Sequence, residues 1–170
     1  MNFKEYIRDV QDFPKQGIVF KDITPLLNNA EILEKTTDAL LNLVKEQKID
    51  KVVGMESRGF FFATLLATKL KAGFVPVRKK GKLPFNVLSK PYSLEYGEDA
   101  LEIHTDAIKK GDKVLIHDDV LATGGTAKAV CELIEELGGE VVQCNFLIEL
   151  DFLNGKDQIA NYNVASLLHY

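Results

Sequence analysis

The sequence predicts an α/β protein with a central, mainly parallel sheet and helices on both faces of that sheet. Short apolar runs alternate with longer segments of helical periodicity, turns rich in glycine or polar residues separate them, and polar residues follow several apolar runs directly. With 170 residues, of which 46% are hydrophobic, the chain can bury a single core. We therefore expect one domain spanning residues 1–170.

The predicted elements alternate between helix and strand. The first helix is expected at Ala30–Gln47, where apolar residues recur at helical spacing after Asn28 and Asn29, two residues that cap helices well. The later predicted elements are a strand at Lys51–Met55, a helix at Gly59–Leu70, strands at Phe74–Val77 and Lys113–His117, a helix at Ala127–Leu137 and, after the stop at Gly138-Gly139, a strand at Val141–Leu150.

The segment Phe13–Pro25 is apolar but is interrupted by two prolines and a glycine, so we expect no regular helix there. An irregular apolar segment exposes backbone donors and acceptors beside aromatic rings, which suits recognition of a flat heterocycle. A loop that only packs over the core fits the same pattern equally well.

The long stretch Arg78–His104 departs from the alternation of helix and strand. It is rich in lysine and proline at first, and alternating residues follow at Tyr92–Tyr96 and Leu101–His104, which indicates a basic loop on a β-hairpin. Such a segment could close over an anion and exclude water, although charge runs are commonly just solvated loops. Its place in a ligand-binding α/β domain favours the mobile lid.

The strongest chemical signal is the stretch Val114–Thr126, where an apolar strand leads into two acids and then a glycine turn that opens a helix. Ligands of open α/β sheets bind at the carboxyl ends of the strands, and the hydroxyls of a ribose can donate to Asp118 and Asp119 there. The turn Thr123–Thr126 offers free backbone N–H groups at the positive end of a helix, which suits a phosphate. The stretch therefore predicts a site for a phosphorylated sugar.

The alternative interpretation of this stretch is structural: the acids cap the following helix and the glycines form an ordinary turn. Two better-known phosphate motifs are excluded. The sequence has no G-x-x-x-x-G-K-[ST] segment, and its glycines at this turn do not fit G-x-G-x-x-G.

A second polar turn, Gly54–Gly59, also lies between a predicted strand and a predicted helix. Its Arg58 is expected to face the same crevice, and two strand ends with a cation suit a ligand that carries phosphates at separate points. In the alternative interpretation, Glu56 and Arg58 form a surface ion pair of little energetic weight.

Charge and composition restrict the partners. The net charge of −4 disfavours a nucleic-acid binder, since phosphate backbones call for a basic face. The first ten residues are too charged for a secretory signal, and the apolar run Phe60–Ala67 is too short to cross a bilayer. We expect a cytoplasmic protein with a small-molecule partner, binding neither nucleic acid nor membrane.

The cysteines and histidines give no sign of a metal site. Cys131 and Cys144 have no C-x-x-C spacing and are expected to be reduced thiols of the core. His104, His117 and His169 lie on separate segments without the spacing of metal ligands, and we expect no metal site built from protein side chains.

Several segments together carry a resemblance to a known family. They are F-P-x-x-G-I-V-F-K-D-I-T-P-L-L at Phe13–Leu27, G-M-E-S-R-G-F at Gly54–Phe60, V-R-K-K-G-K-L-P at Val77–Pro84, Y-S-L-E-Y-G at Tyr92–Gly97, the stretch Val114–Thr126 and I-E-L at Ile148–Leu150. With these segments the chain resembles the type I phosphoribosyltransferases over nearly its whole length. The first, second and fourth segments resemble the members that act on adenine.

The resemblance implies a small N-terminal hood at about residues 1–27 and a mobile hairpin loop at about residues 78–104. It implies transfer of phosphoribose from 5-phosphoribosyl 1-pyrophosphate to adenine, giving AMP and pyrophosphate in purine salvage, with Mg²⁺ on the diphosphate and a homodimeric assembly. Two rival hypotheses remain: a transferase for hypoxanthine, guanine or xanthine, and a regulator that binds the sugar phosphate without turnover.

The resemblance also implies roles for individual residues. The 5′-phosphate is assigned to Ala122, Thr123, Gly124, Gly125 and Thr126, and the ribose hydroxyls to Asp118 and Asp119. The diphosphate side is assigned to Ser57, Arg58 and Arg78, with assistance from Lys79 and Lys82. The base is placed between Phe20 and Leu150, within reach of Arg58 and with the backbone of Val19 and Lys21 at its amino edge. Glu95 is assigned to a proton of the base, and Tyr96 to ordering of the closed loop.

Overall fold

The structure is a computed structural model that describes residues 1–93 and 98–170. Two compact units make up the chain, Met1–Ala39 and Leu40–Tyr170. The first unit contains a 3-10 helix at Phe3–Tyr6, the antiparallel strands β1 (Arg8–Gln11) and β2 (Val19–Asp22), the short helix α1 (Thr24–Leu27) and most of helix α2 (Ala30–Val44). None of the helices in the described ranges combines the length and the apolarity needed to cross a bilayer.

The segment Phe13–Pro25 is more regular than its sequence predicts. Val19–Asp22 forms β2 against β1, and Thr24–Leu27 forms one helical turn, so the expectation of wholly irregular structure is wrong for these residues. Pro25 does not prevent the turn because it lies at the start of the helix, where its missing N–H group has no partner to lose.

A sheet of seven strands, counted over the described residues, forms the second unit in the order β5-β6-β4-β3-β7-β8-β9. These strands are β3 (Lys51–Met55), β4 (Gly73–Lys79), β5 (Val87–Ser93), β6 (Glu98–His104), β7 (Lys113–Leu121), β8 (Glu140–Glu149) and β9 (Val164–His169). The neighbouring strands β4, β3, β7, β8 and β9 are parallel to one another. Strands β5 and β6 form an antiparallel hairpin, and β6 pairs with β4 in the antiparallel direction. The predicted mainly parallel sheet and the hairpin are both confirmed.

Helices cover both faces of this sheet, as the sequence predicts. On one face, α3 (Gly59–Leu70) brings the Phe62 ring to a centroid distance of 6.1 Å from the His117 ring of β7. On the other face, α4 (Gly125–Glu136) packs its buried apolar residues into the cluster that includes Val53 and Ile116. Helical side chains thereby remove both faces of the central strands from water.

Most predicted element boundaries lie within a few residues of the observed ones, and those of β3 and α3 are confirmed in full. The larger error concerns β7, which we expected to end at His117 but which continues to Leu121. The reason is its long neighbour β8. Phe146 of β8 pairs with Asp118, and the pairing of the two strands continues to Leu121 of β7. The two acids therefore belong to the strand itself.

Directly before the two acids, β7 is held by a buried network of polar side chains. The Asn145 amide nitrogen donates to the Leu40 carbonyl oxygen at 3.3 Å and to the Gln143 Oε1 atom at 3.2 Å. The Asn145 Oδ1 atom therefore faces the His117 Nδ1 atom, at 2.9 Å, and accepts a hydrogen bond from it. His117 is completely buried, and this burial lowers its pKa from 6.5 to about 4.

We expect His117 to make folding sensitive to mild acid. Unfolded chains protonate this residue near pH 6.5, whereas the folded protein does so only near pH 4, so the stability that depends on neutral His117 is complete above pH 6.5 and is lost as the pH falls toward 4. Between pH 7 and pH 5 this residue should lower the free energy of unfolding by about 2 kcal/mol. In urea titrations, the free energy of unfolding of His117→Gln should fall by about 2 kcal/mol less between pH 7 and pH 5 than that of the unmodified protein.

The two proteins should show parallel stability curves between pH 7 and pH 8, where His117 is neutral in both the folded and the unfolded chain. An equal loss of unfolding free energy in both proteins between pH 7 and pH 5 would show that His117 does not titrate as a buried neutral side chain.

Candidate active site

A crevice opens in the sheet between β3 and β7. The ladder between these strands stops at Gly54 and His117, so from Asp118 onward β7 pairs with β8 alone. The connections also lead to opposite sides here, since β3 connects through α3 to β4 on one side and β7 connects through α4 to β8 on the other. Open α/β sheets bind their ligands at such a point, beyond the carboxyl ends of the strands.

The crevice contains the acid pair, and the alternation of side chains along a strand separates its two members. Asp118 lines a hollow of about 70 Å³ together with residues of the following turn. Asp119 is only 3% exposed, and its Oδ2 atom lies 2.9 Å from the Arg58 Nε atom. The structure therefore brings Asp118 to the hollow and directs Asp119 to the turn before α3.

Burial affects the ionisation of both acids. It raises the pKa of Asp118 well above its usual range, and the adjacent charge of Asp119 adds to the effect. Burial also raises the pKa of Asp119, although the Arg58 guanidinium opposes this shift. A ligand whose hydroxyl groups donate to Asp118 would compensate its carboxylate for the lost water.

The glycine loop, residues Ala122–Thr126, forms the other wall of the hollow. Gly124 caps α4 with a φ of 83°, a left-handed conformation that favours glycine. The first backbone N–H groups of α4 have no partner within the helix, so an anion can bind them. The residues predicted to hold a phosphate are thus brought together beside Asp118.

A residue that the sequence interpretation missed supports this loop. Gly155 begins a 3-10 helix at Gly155–Ile159, and a Cβ atom added to it would lie 2.1 Å from the Ala122 carbonyl oxygen. A Cβ atom on Gly124 would lie equally close, 2.1 Å, to the Gly155 carbonyl oxygen. The two backbones can touch only because both residues lack a side chain. Gly155 lies far from the loop in sequence, and no local pattern singles it out.

Next to the hollow is a wider cavity of about 420 Å³, which also includes Thr123. Its lining includes Tyr92 of the hairpin, Lys128 on α4 and Gln158 of the 3-10 helix that begins at Gly155. The hairpin strand β5 packs along α4, where Lys90 pairs with Glu132 at 3.3 Å. Strand β5 of the basic stretch predicted as a lid therefore lies beside the glycine loop.

The third part of the site surrounds Glu56, which the sequence interpretation treated only as a surface partner of Arg58. That alternative is wrong, because Arg58 pairs with Asp119 and the Glu56 side chain is only 8% exposed. The Glu56 carboxylate accepts a hydrogen bond from the Lys79 backbone N–H at 2.9 Å, lies 3.3 Å from the Arg78 Nε atom and binds the Lys82 amine. The sequence did contain a signal for a role of Glu56 in the site, since this residue lies within the family segment G-M-E-S-R-G-F at Gly54–Phe60.

Burial alone would raise the pKa of Glu56, but the hydrogen bonds from Lys82, the Lys79 backbone and Arg78 outweigh burial and hold that pKa below its usual range. The Lys79 amine points elsewhere and lies 3.3 Å from Asp99 of β6. Arg78 and Lys82, both predicted for the diphosphate, are thus brought together around one carboxylate, while the Lys79 side chain is not. Ser57 is exposed at the same turn.

The residues predicted for the base lie in both units. In the first unit, the Phe20 ring contacts Phe13 edge to face at a centroid distance of 5.1 Å, and the Lys21 amine lies 2.7 Å from Asp9. Val19 is 40% exposed. In the second unit, the Leu150 backbone N–H donates to the Leu121 carbonyl oxygen at 3.0 Å. Sandwiching of a base between Phe20 and Leu150 stays a prediction.

Glu95 and Tyr96 lie outside the described residues, so their predicted roles in proton transfer and loop ordering stay predictions. Within the described residues, the group of three potential metal-binding side chains is Glu149, Asp151 and His169, whose ligand atoms lie within 4.8 Å of one another. The sequence did not indicate this cluster, because strand pairing between β8 and β9 creates it. It lies outside the hollow lined by Asp118.

The two cysteines occupy the core, as predicted. Cys131 of α4 and Cys144 of β8 are buried and free, with their Sγ atoms 3.5 Å apart. The hydrogen bond between the two thiols and the burial both raise the pKa of Cys131. Raising this pKa disfavours the thiolate and so makes the thiol unreactive.

The fold and this arrangement match known proteins. A family model for the phosphoribosyl transferase domain matches residues 22–164. The chain is 68% identical to the adenine phosphoribosyltransferase of Flavobacterium johnsoniae over 170 residues, which is 100% of both chains. The adenine phosphoribosyltransferase of Rhodothermus marinus, at 56% identity, gives a TM-score of 0.95 over 99% of this chain and 96% of that one.

A third comparison includes bound ligands. The Saccharomyces cerevisiae adenine phosphoribosyltransferase, solved with adenine and D-2,5-dideoxy-2,5-imino-altritol 1,6-bisphosphate, is 44% identical and gives a TM-score of 0.92. The match covers 97% of this chain and 96% of that one. Family model, sequence relatives and solved structures agree over nearly the full length, and the chain belongs to the phosphoribosyltransferase family, among the adenine phosphoribosyltransferases.

Proposed function

We propose that this chain transfers phosphoribose from 5-phosphoribosyl 1-pyrophosphate to adenine, giving AMP and pyrophosphate, and so recovers a free purine base. The observation that carries the proposal is the crevice between β3 and β7. Asp118 and the glycine loop lie on the β7 side, and Glu56, which follows β3, lies with the cations Arg78, at the end of β4, and Lys82, just after that strand. The yeast relative, whose structure contains adenine and a bisphosphate, supports the choice of base and of sugar phosphate.

The charges of the crevice suit this reaction. The bond from ribose C1 to the diphosphate oxygen breaks, a bond from an imidazole nitrogen of adenine to C1 forms, and the base loses a proton. Positive charge develops on the ribose while negative charge develops on the diphosphate. Carboxylates beside the first and cations beside the second stabilise the transition state. We assign Asp118 to the ribose hydroxyls, and Arg58, Arg78 and Lys82 with Ser57 to the diphosphate.

For Asp119, which the resemblance implies for the ribose hydroxyls, we propose a different role. Its carboxylate is almost wholly buried against Arg58, so we assign it to holding this arginine at the edge of the crevice. The glycine loop, Ala122–Thr126, binds the 5′-phosphate through the N-terminus of α4. We assign Glu95 to the proton of the base and Tyr96 to closure of the loop by family resemblance.

The base and the metal complete the proposal. Phe20, Leu150 and the backbone of Val19 and Lys21 are assigned to adenine by the same resemblance. Mg²⁺ prefers oxygen ligands, and we expect it to arrive with the diphosphate, whose oxygens together with water would supply most of its ligands. When bound, Mg²⁺ neutralises charge on the diphosphate. We also infer a cytoplasmic homodimer from the family resemblance, which cell fractionation and light scattering can test.

The central experiment incubates the protein with Mg²⁺, 5-phosphoribosyl 1-pyrophosphate and each purine in turn, and measures nucleotide and pyrophosphate. We expect stoichiometric AMP and pyrophosphate with adenine alone. Turnover of hypoxanthine, guanine or xanthine would identify a transferase for another base. Binding of the sugar phosphate without product would identify a regulator, and either outcome would overturn the proposal.

The acid pair should contribute more to the rate than the proton-handling glutamate. Glu95→Gln removes acid–base assistance, which is typically worth about 10²–10⁴-fold in rate. Combining Asp118→Asn with Asp119→Asn should reduce the single-turnover rate further, because it removes charge beside the ribose and the partner of Arg58. Thermal unfolding controls for stability, and comparable rates in the two proteins would contradict this ranking.

Gly155→Ala tests the support of the glycine loop. The added methyl group would meet the Ala122 carbonyl oxygen, so we expect the loop to shift and the KM for 5-phosphoribosyl 1-pyrophosphate to rise by at least about tenfold, with a smaller change in the KM for adenine. Gly73→Ala is the matched control, since its methyl group meets only the flexible Lys51 side chain. Equal KM values in the two variants would show that the loop does not need this contact.

A further inference from the structure

Glu56 stands out among the polar groups of the crevice because it is an acid at the place where an anionic ligand is expected. Its carboxylate is almost fully buried, accepts hydrogen bonds from the Lys79 backbone N–H and the Lys82 amine, and lies within ion-pair distance of the Arg78 guanidinium. An acid directed at these groups competes with any diphosphate for the same cations. Its presence therefore needs an explanation.

The two cations beside Glu56 account for this acid. Arg78 and Lys82 both contact the same carboxylate, and the Arg78 Nη1 atom also lies 3.5 Å from the Lys82 carbonyl oxygen, so the two side chains are held close together. Two cations at this separation repel each other unless an anion lies between them. A bound diphosphate is such an anion. Without it, the described residues provide Glu56.

We propose that Glu56 is a positioning residue that holds Arg78 and Lys82 together in the free protein, so that diphosphate meets two cations already in place. This inference rests on the proposed function. Lys82 is 46% exposed on its side-chain surface and can turn from the carboxylate to a ligand, whereas Glu56 remains bonded to the Lys79 backbone. Ordering a lysine side chain only when the ligand binds would weaken binding, because its freedom would be lost in that step.

The same part of the chain provides a contrasting acid. Glu102 of β6 is buried to a similar degree and accepts a hydrogen bond from the Gly81 backbone N–H at 2.9 Å. Glu56 and Glu102 thus both attach the segment that follows β4 to the sheet. Glu56 alone of these two acids has ion pairs to Arg78 and Lys82 in the described structure. Comparing them separates attachment of the backbone from positioning of cations.

The test compares Glu56→Gln with Glu102→Gln. Both variants keep an oxygen that can accept the backbone hydrogen bond, and only the first removes the charge that holds Arg78 and Lys82. We expect Glu56→Gln to raise the KM for 5-phosphoribosyl 1-pyrophosphate and the inhibition constant of pyrophosphate by about tenfold each, with the KM for adenine unchanged. Glu102→Gln should leave all three constants near those of the unmodified protein.

Lys82→Met provides a second measurement. If Glu56 acts through Lys82, the effect of Glu56→Gln on the inhibition constant of pyrophosphate should be several-fold smaller in a protein that already carries Lys82→Met. Unchanged values of the KM for 5-phosphoribosyl 1-pyrophosphate and of the pyrophosphate inhibition constant in Glu56→Gln would overturn the proposal. A lower inhibition constant for pyrophosphate would also overturn it, because the Glu56 carboxylate would then only repel the anion. Equal effects of the two glutamine variants would show attachment of the backbone alone.

These outcomes are distinct from a failure of the proposed function. If the unmodified protein and Glu102→Gln form no AMP from adenine, the proposed function is wrong. If both form AMP and Glu56→Gln has the same kinetic constants as they do, only the role of Glu56 is wrong. Thermal unfolding of each variant confirms that the kinetic comparison is made between folded proteins.

Discussion

The constraint on which the site depends is the burial of carboxylates at the carboxyl ends of the central strands. Asp119 and Glu56 are each withdrawn from water, and each has a cation within ion-pair distance. A buried charge without a partner is strongly destabilising, so these pairs determine where Arg58 and Arg78 can lie. Asp118 differs from both, because its side chain lines the hollow beside the glycine loop. The same requirement thus positions the cations and leaves one acid available to a ligand.

The opposite wall of the hollow depends on packing rather than on charge. Gly124 and Gly155 bring two backbones into contact, and this contact supports the turn that begins α4. A helix N-terminus binds an anion through backbone groups, so the position of the backbone decides the quality of the site. The segment after β8 thereby supports the glycine loop through a backbone contact.

Local patterns explain why much of the fold could be predicted. Helical and strand periodicity depends on residues within a few positions of each other, which is why β3 and α3 were predicted with their observed bounds. The glycine loop and the acid pair are also contiguous in sequence, and their position after an apolar strand already indicates a ligand site. The end of β7 was predicted wrongly because only the length of β8 determines how far the strand stays paired.

The sequence by itself determined the fold class, the acid pair at the end of an apolar strand and the glycine turn that opens a helix, since each depends on neighbouring residues and on the backbone geometry that they favour. Only the tertiary structure decided that Asp119 faces Arg58, that Glu56 holds Lys82, and that Gly155 supports the loop. These contacts join residues that are distant along the chain. Partners of this kind follow from the order and pairing of the strands, which no local window of the sequence contains.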